Sequence, residues 1–297
     1  VSDIHDVTSR NYQADFEEIQ KAPIDCVPMP LKSWNSVSRD SGGGIGIPFE
    51  GWVITVGGAS GGGKSLFALN VLAHVLTNSK IPVAMVSLEM SHRQVATRFY
   101  SIASGVPIRN IEPGNFNNEE WTKAREFTEE LPSFYVPNKV LSSVEDVLRY
   151  CNECYQKGVR FFVVDYLQLI GHSEKSILEG TINVMVALRK WAVDNSVIII
   201  NLSQLNRRTT SEKERPHMSA LLGSSILEQA SDQVLILDHT RFKKEPTGMG
   251  AMGWCCLLKN RHGPVTDIPI RYDFSCLRIS QGQPHELSRW PKGNNYE

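Results

Sequence analysis

Gly58-Ala59-Ser60-Gly61-Gly62-Gly63-Lys64-Ser65 narrows the possible folds more than any other stretch of this chain. It fits the spacing G-x-x-x-x-G-K-[ST], and its flanks agree with it. The apolar run Val53–Val56 leads in, and the amphipathic stretch Leu66–Leu76 leads out. Glycines at this density let consecutive backbone N–H groups turn inward at a helix N-terminus, forming a nest for an anion. A strand, loop and helix joined this way commit the chain to a layered α/β arrangement with the strand inside. The motif assigns Gly58, Ala59, Ser60, Gly61, Gly62, Gly63, Lys64 and Ser65 to a nucleotide. Lys64 should reach the β- and γ-phosphates, and Ser65 should offer its hydroxyl to Mg2+.

The pattern around the motif supports that layer. Strand candidates are Trp52–Val56, Val83–Leu88, Arg160–Asp165, Val197–Leu202 and Gln233–Leu237. Between them, helical periodicity covers Gly63–Asn78, Arg93–Ala103, Glu119–Leu131, Val144–Gln156 and Ile177–Asp194. Strands alternating with helices of ten or more residues predict a mostly parallel sheet covered on both faces. Helical periodicity stops near residue 250, and Trp254–Lys259, Val265–Tyr272 and Leu277–Ile279 predict an antiparallel extension of the sheet. Three regions follow. Residues 1–50 read as an N-terminal arm and linker, 51–280 as the domain that carries the phosphate loop, and 281–297 as a polar tail. In the arm, Tyr12, Phe16 and Ile19 make Asn11–Lys21 amphipathic, Pro23, Pro28 and Pro30 interrupt regular structure, and Ser41–Gly44 is a loop signal. Such a segment serves equally as a linker or as an arm exchanged onto a neighbouring subunit.

Composition excludes more than it assigns. Thirty-one basic side chains against 32 acidic ones give a formal charge of −1, so contact with a polyanion must be local. The best apolar run, Phe161–Ile170, is broken by Asp165 and Gln168 and falls short of the roughly 18 residues of a membrane span. No membrane partner is expected. No basic start leads into an apolar stretch, so no signal peptide is read. Val1 suggests a processed chain or a piece of a longer one. Of six cysteines, Cys151 and Cys154 form a CxxC, which suits half a zinc site or a redox pair. Adjacent Cys255 and Cys256 make a poor second half, and Cys151 falls on the apolar face of a helix with Val144, Val147 and Leu148. Reduced structural thiols in a cytosolic setting are the expectation.

Phosphate binding is not hydrolysis, and three further strand ends carry polar groups. Phe161-Phe-Val-Val-Asp165 delivers a carboxylate to the carboxyl edge of the sheet, where open α/β sheets bind ligands. There Asp165 supports Mg2+, or is a turn residue. Val83-Ala-Met-Val-Ser-Leu-Glu89 ends on Glu89, which orients or deprotonates an attacking water, or merely starts a helix. Ile198-Ile-Ile-Asn-Leu-Ser-Gln204 brings a neutral group that can sense the γ-phosphate.

These segments in this order resemble the hexameric replicative DNA helicases of the DnaB type, which are built on a RecA-like P-loop ATPase core. The resemblance covers roughly Leu31 to Ile279. It rests on Gly58–Ser65, Ser87-Leu-Glu-Met90, Asp165-Tyr-Leu-Gln-Leu169, Leu202-Ser-Gln-Leu-Asn-Arg207, Ile226-Leu-Glu-Gln-Ala-Ser-Asp232 and Leu258-Lys-Asn-Arg-His-Gly-Pro264. It implies an NTP-hydrolysing motor that binds ATP or another NTP with Mg2+, assembles as a ring-shaped homo-hexamer and moves 5′→3′ on single-stranded DNA to unwind duplex. Carried over by position, Lys64 and Ser65 bind phosphates and metal, Glu89 activates water, Asp165 supports Mg2+, and Gln204 links nucleotide state to the DNA loops. Lys259 and Arg261 match the residues that reach into the adjacent subunit's site.

DNA contact falls on Gly171–Ser176, with Lys175, and on Arg215–Ser225, with Arg207 in the basic run before it. Here the chain departs from the family: Leu222-Gly223-Ser224-Ser225 stands where the common bacterial pattern is Arg-Glu-Ser-Gly, which is nearer to phage primase-helicases. Gly223, Ser224 and Ser225 remain candidates through their backbone N–H groups. A second departure is that only about fifty residues precede the phosphate loop, where the family carries a collar or primase domain. Primase and a helicase loader are the further partners implied, in the cytoplasm of a bacterium or phage-infected cell. A RecA-like filament ATPase that does not unwind, and a small-molecule P-loop kinase, are the alternatives.

Overall fold

The computed structural model describes residues 26–37, 46–115, 117–165, 177–206, 215–221, 223–244 and 250–283. In chain order the elements are β1 (Cys26–Val27), α1 (Lys32–Val37), β2 (Ile47–Pro48), β3 (Val53–Gly58), α2 (Lys64–His74) and β4 (Val83–Ser87). Next come α3 (His92–Ser104), α4 (Ile108–Ile111), α5 (Asn118–Glu129), β5 (Phe134–Tyr135), α6 (Val144–Gln156), β6 (Phe161–Asp165) and α7 (Ile177–Asn195). The chain continues through β7 (Ile198–Gln204), α8 (Ser224–Ala230), β8 (Gln233–Lys244), β9 (Gly250–Asn260), β10 (Thr266–Asp273) and β11 (Arg278–Gln281).

Among the described residues, nine strands form one sheet in the order β11-β10-β9-β8-β3-β7-β6-β4-β5. From β8 to β5 every pairing is parallel, and β9, β10 and β11 add antiparallel. The expected parallel sheet with an antiparallel extension is therefore what the chain forms. The five predicted strands are present, and β5 adds a two-residue edge strand too short to show a period in sequence. Parallel strands need both faces covered. Ile54 and Val56 of β3 face a core with Phe67, Leu69 and Leu72 of α2 and Val95, Phe99 and Ile102 of α3. Val53 faces the other core, with Val147 and Cys151 of α6, Leu188 and Ala192 of α7 and Leu227 of α8.

Helix starts are set by local chemistry. Ser91 and Gln94 form a reciprocal capping box at α3, and Ser143 accepts from the Asp146 N–H at 3.1 Å to start α6. Gly105 stops α3 in the left-handed conformation (φ 73°), and Arg278 donates to the carbonyls of Ile102 and Ala103 at 2.8 and 3.1 Å. Cys151 and Cys154 lie buried on α6, the helix that the sequence predicts there.

The stretch 26–37 lies within the region read as arm and linker, yet it is packed into the first core. Val27, Met29, Leu31 and Trp34 are all buried there, and β1 pairs with β2. Trp34 has no exposed surface, stacks on Phe67 at 6.0 Å and donates its indole N–H to Gln233 Oε1 at 2.8 Å. The three prolines hide this packing, because an irregular backbone has no period to read. Residues 1–25, 38–45 and 284–297, with the amphipathic Asn11–Lys21, the Ser41–Gly44 loop signal and most of the polar tail, lie outside the described residues. Trp34→Ala removes a fully buried indole and its hydrogen bond, so denaturant unfolding should show a loss of about 3–5 kcal/mol; a loss under about 1 kcal/mol would mean the segment is not part of the core.

Candidate active site

The sheet order brings separated motifs together. Gly58 pairs with Gln204 across β3 and β7, and Ser87 pairs with Asp165 across β4 and β6. The Leu88 N–H donates to the Asp165 carbonyl at 2.8 Å, which leaves Glu89 just past the same edge. Phosphate loop, Gln204, Asp165 and Glu89 thus stand in spatial order along the carboxyl ends of four adjacent parallel strands. That is the edge where α/β sheets hold ligands.

Within the loop, Gly61 and Gly63 adopt left-handed φ values of 71° and 78°, and the Gly62 N–H closes a turn onto the Ala59 carbonyl at 2.9 Å. Ala59, Ser60 and Gly61 are exposed at the crest. A Cβ at Gly63 would also lie 3.3 Å from the Tyr272 ring, so backbone and neighbour both demand glycine there. Lys64 bends back over the loop and donates to the Gly58 and Ala59 carbonyls at 3.0 and 2.9 Å. Burial lowers the Lys64 pKa, while the charges of Asp165 and Glu89 pull it back up. The loop is therefore held in shape by the same ammonium that would meet a phosphate.

Asp165 is fully buried, and among the described residues its carboxylate makes no hydrogen bond of full geometry, the Ser65 hydroxyl being the nearest donor. Burial pushes its pKa up to about 6, with Glu89 adding to the rise and the Ser65 hydroxyl, Lys64 and Arg98 opposing it. An unpaired buried carboxylate is costly unless something satisfies it. Next to the Ser65 hydroxyl it forms an all-oxygen donor set, which fits a hard divalent cation such as Mg2+. Arg98, half-buried on α3, is a residue that sequence reasoning misses. It donates to Met90 Sδ and acts electrostatically on Asp165. Its only signal in sequence is a position nine residues after Glu89 on a helix.

The other expected residues divide. Lys259 and Arg261 lie where β9 ends, beside the start of β8, and so at the edge opposite the phosphate loop. Lys259 Nζ donates to the Ser231 carbonyl at 2.9 Å and to the Glu228 carbonyl at 2.5 Å. Arg261 donates to Asp232 Oδ1 at 3.1 Å and to the Gln229 carbonyl at 3.2 Å. Gly223 is left-handed (φ 77°) and opens α8, with Ser224 in its first turn and Ser225 exposed. Leu221 just before it bridges to Leu205, and the Asn206 N–H donates to the Ala220 carbonyl at 2.7 Å, so this segment is fastened to the strand that carries Gln204. Arg215 is engaged within its own subunit. Asp267 of β10 takes its Nε at 3.0 Å and its Nη2 at 2.6 Å, a fork-to-carboxylate pair that spacing in sequence could not reveal. Lys175 and Arg207 lie outside the described residues.

Residues 49–281 match the DnaB-like helicase C terminal domain family. The chain is 29% identical over 217 residues to the replicative DNA helicase DnaB of Geobacillus stearothermophilus, covering 71% of this chain and 48% of that protein. It is 28% identical to the replicative DNA helicase DnaC of Bacillus subtilis, with the same coverage of each. The chain spans about half the length of these curated relatives. Among solved structures, an ATPase domain superposes with a TM-score of 0.78 at 22% identity, covering 95% of this chain and all of that one. A DnaB-like replicative helicase studied for its interactions with primase gives a TM-score of 0.73 at 22% identity, covering 94% of this chain and 67% of that one. Both likenesses establish the RecA-like fold.

The buried carboxylate yields a prediction with a sign. The folded-state pKa of Asp165, about 6, stands above its unfolded value of 3.8. The folded chain thus holds more protons between those values, and ionised Asp165 destabilises the ligand-free fold above that window. Asp165→Asn should raise the ligand-free Tm at pH 8 by about 2–4 °C and remove the further rise that Mg2+ and ATP give the wild type. An unchanged response to Mg2+ and ATP would count against this donor set.

Proposed function

The chain belongs to the DnaB-like helicase C-terminal domain family, and we propose that it is the motor of an ATP-driven replicative DNA helicase whose active sites form between subunits. The observation that carries this reading is the separation of parts within one subunit. The phosphate loop leaves the carboxyl end of β3, whereas Lys259 and Arg261 sit at its amino end. Six residues of strand span about 16–20 Å. A guanidinium at that edge is too far from its own loop to serve it, which supports a role at the loop of a neighbour in a closed ring of six.

In each composite site the loop amides, Lys64 and Ser65 hold the nucleotide phosphates, and Asp165 with Ser65 holds Mg2+. Bound Mg2+ neutralises phosphate charge. Glu89, exposed at the mouth of the site, orients the attacking water and accepts its proton. Lys259 and Arg261 of the adjoining subunit offset charge that develops on the transferred group, a contribution of about 10³–10⁵ in rate. Gln204 is one residue from the Leu205–Leu221 bridge, so its contact with the γ-phosphate bears directly on the segment Gly223–Ser225. Backbone N–H groups there, with Lys175 and Arg207, hold single-stranded DNA without reading bases. Arg215 belongs to this set on condition that it exchanges the half-buried Asp267 for a phosphate.

Movement 5′→3′, partnership with a primase and a loader, action in the cytoplasm and the division into arm, motor and tail belong to the same proposal. Among the described residues no helix is long and apolar enough to cross a membrane.

Hydrolysis measured with and without single-stranded DNA, beside strand displacement on a forked duplex, tests the function. DNA-stimulated hydrolysis with unwinding is expected, and Lys64→Ala should abolish both. Stimulation without unwinding would favour a filament ATPase, and a phosphorylated small molecule would indicate a kinase. Glu89→Ala and Arg261→Ala subunits, each inactive alone, should regain hydrolysis when mixed, since intact sites form where an Arg261→Ala loop meets a Glu89→Ala finger. Absence of recovery in proven mixed assemblies would remove the trans assignment.

A further inference from the structure

Ile226-Leu-Glu-Gln-Ala-Ser-Asp232 is among the stretches that carry the family resemblance, yet none of the proposed steps of the motor falls to it. Its last residue, Asp232, accepts three hydrogen bonds through its side chain at the edge opposite the phosphate loop. Asp232 is 3% exposed, while Arg261 is 43% exposed. Asp232 and Val53 at the start of β3 exchange two hydrogen bonds. The Asp232 N–H donates to the Val53 carbonyl at 2.7 Å, and the Val53 N–H donates to Asp232 Oδ2 at 2.9 Å. Oδ2 also accepts from Arg189 Nη1, and the same nitrogen donates to the Gly51 carbonyl at 3.0 Å. Oδ1 accepts from Arg261 Nη1 at 3.1 Å, and the Arg261 backbone N–H donates to the Asp232 carbonyl at 2.8 Å.

Resting on the reading that Arg261 acts across a subunit junction, we propose that Asp232 is the positioning residue that aims the Arg261 guanidinium at the neighbouring nucleotide. Asp232 grips Arg261 by main chain and side chain together, so both ends of that residue are fixed to β3. Among the described residues the guanidinium donates to Asp232 and to the Gln229 carbonyl, which is two of its five N–H groups, and the side chain is half-exposed. The charge pattern suits a finger and not a stored, neutralised pair. Arg189 already balances Asp232 from the inner side, which leaves the Arg261 charge available to an incoming phosphate. Ser231 fixes the neighbouring cation in the same way. Its carbonyl accepts from Lys259, and its hydroxyl bonds Thr55 of β3 at 2.7 Å and the Leu227 carbonyl at 2.6 Å. His262 stacks on Trp52 at 4.5 Å and pins the residue that follows Arg261. The finger is thus mounted on the strand that carries its own subunit's phosphate loop.

The test is steady-state ATP hydrolysis by the 297-residue chain on single-stranded DNA, with Asp232→Asn and Asp232→Glu compared to wild type. Misplacing a catalytic group by about 1 Å costs about 100-fold. Both variants should therefore lose about 10- to 100-fold in kcat, with KM for ATP within about threefold of wild type. Asp232→Glu keeps the countercharge for Arg189, so it tests the idea even if Asp232→Asn fails to fold. Mixing either variant with Lys64→Ala subunits should recover hydrolysis, because the variant's loop then meets an undamaged finger. Full kcat in Asp232→Glu, a gain in kcat, or a loss that Lys64→Ala subunits do not relieve would overturn the proposal. If Arg261→Ala and Glu89→Ala subunits do not complement, the trans reading itself fails; if they do and Asp232→Glu is fully active, only the positioning role fails.

Discussion

The parallel pairing of β3 between β7 and β8 is the constraint on which the remaining arrangement depends. Parallel strands share a direction, so all their carboxyl ends fall on one edge and all their amino ends on the other. Register then decides which residues meet. Gly58 lies beside Gln204, and Asp165 lies beside Ser87, because each strand is fixed by an apolar face on both sides. A slip of one residue would turn Ile54 and Val56 out of their core and carry the whole polar edge out of line. Burial of ordinary Val, Ile and Leu side chains thus sets the geometry of the charged groups.

The same strand joins the two edges. At its carboxyl end stands a loop shaped by its glycines and lysine, with a fully buried carboxylate, Asp165, nearby. At its amino end stands Asp232, whose carboxylate accepts from Val53, Arg189 and Arg261, holding an arginine side chain that is half-exposed. One edge is costly to keep empty, and the other is stable as it is. On the proposed reading this asymmetry suits a site assembled from two subunits, since a finger held rigid in advance needs no reordering when its neighbour comes into place.

Sequence is most legible where chemistry and period coincide. The phosphate loop, the five apolar strands and the carboxylate at Asp165 all declare themselves through residue type and spacing. Trp34 does not, since its partners Phe67 and Gln233 are far away along the chain and its own segment has no period. Arg215 reads as a free cation because charge counts in sequence do not show that Asp267 lies across from it. Asp232 and Arg98 are silent for a related reason. A single charged residue acquires a role only from what the register places beside it, and spacing along one segment carries no information about the facing strand.

If hydrolysis is a property of subunit junctions, turnover must depend on assembly, and that dependence tests the central claim most directly. Hydrolysis per chain should be measured across protein concentrations that span the transition from monomer to ring, with particle mass recorded on the same samples in Mg2+, ATP and single-stranded DNA. Turnover per chain should be near background where only monomers exist and should rise in step with the mass of the assembled species. Equal turnover per chain on both sides of that transition would contradict the claim, because a monomer would then hold a complete site.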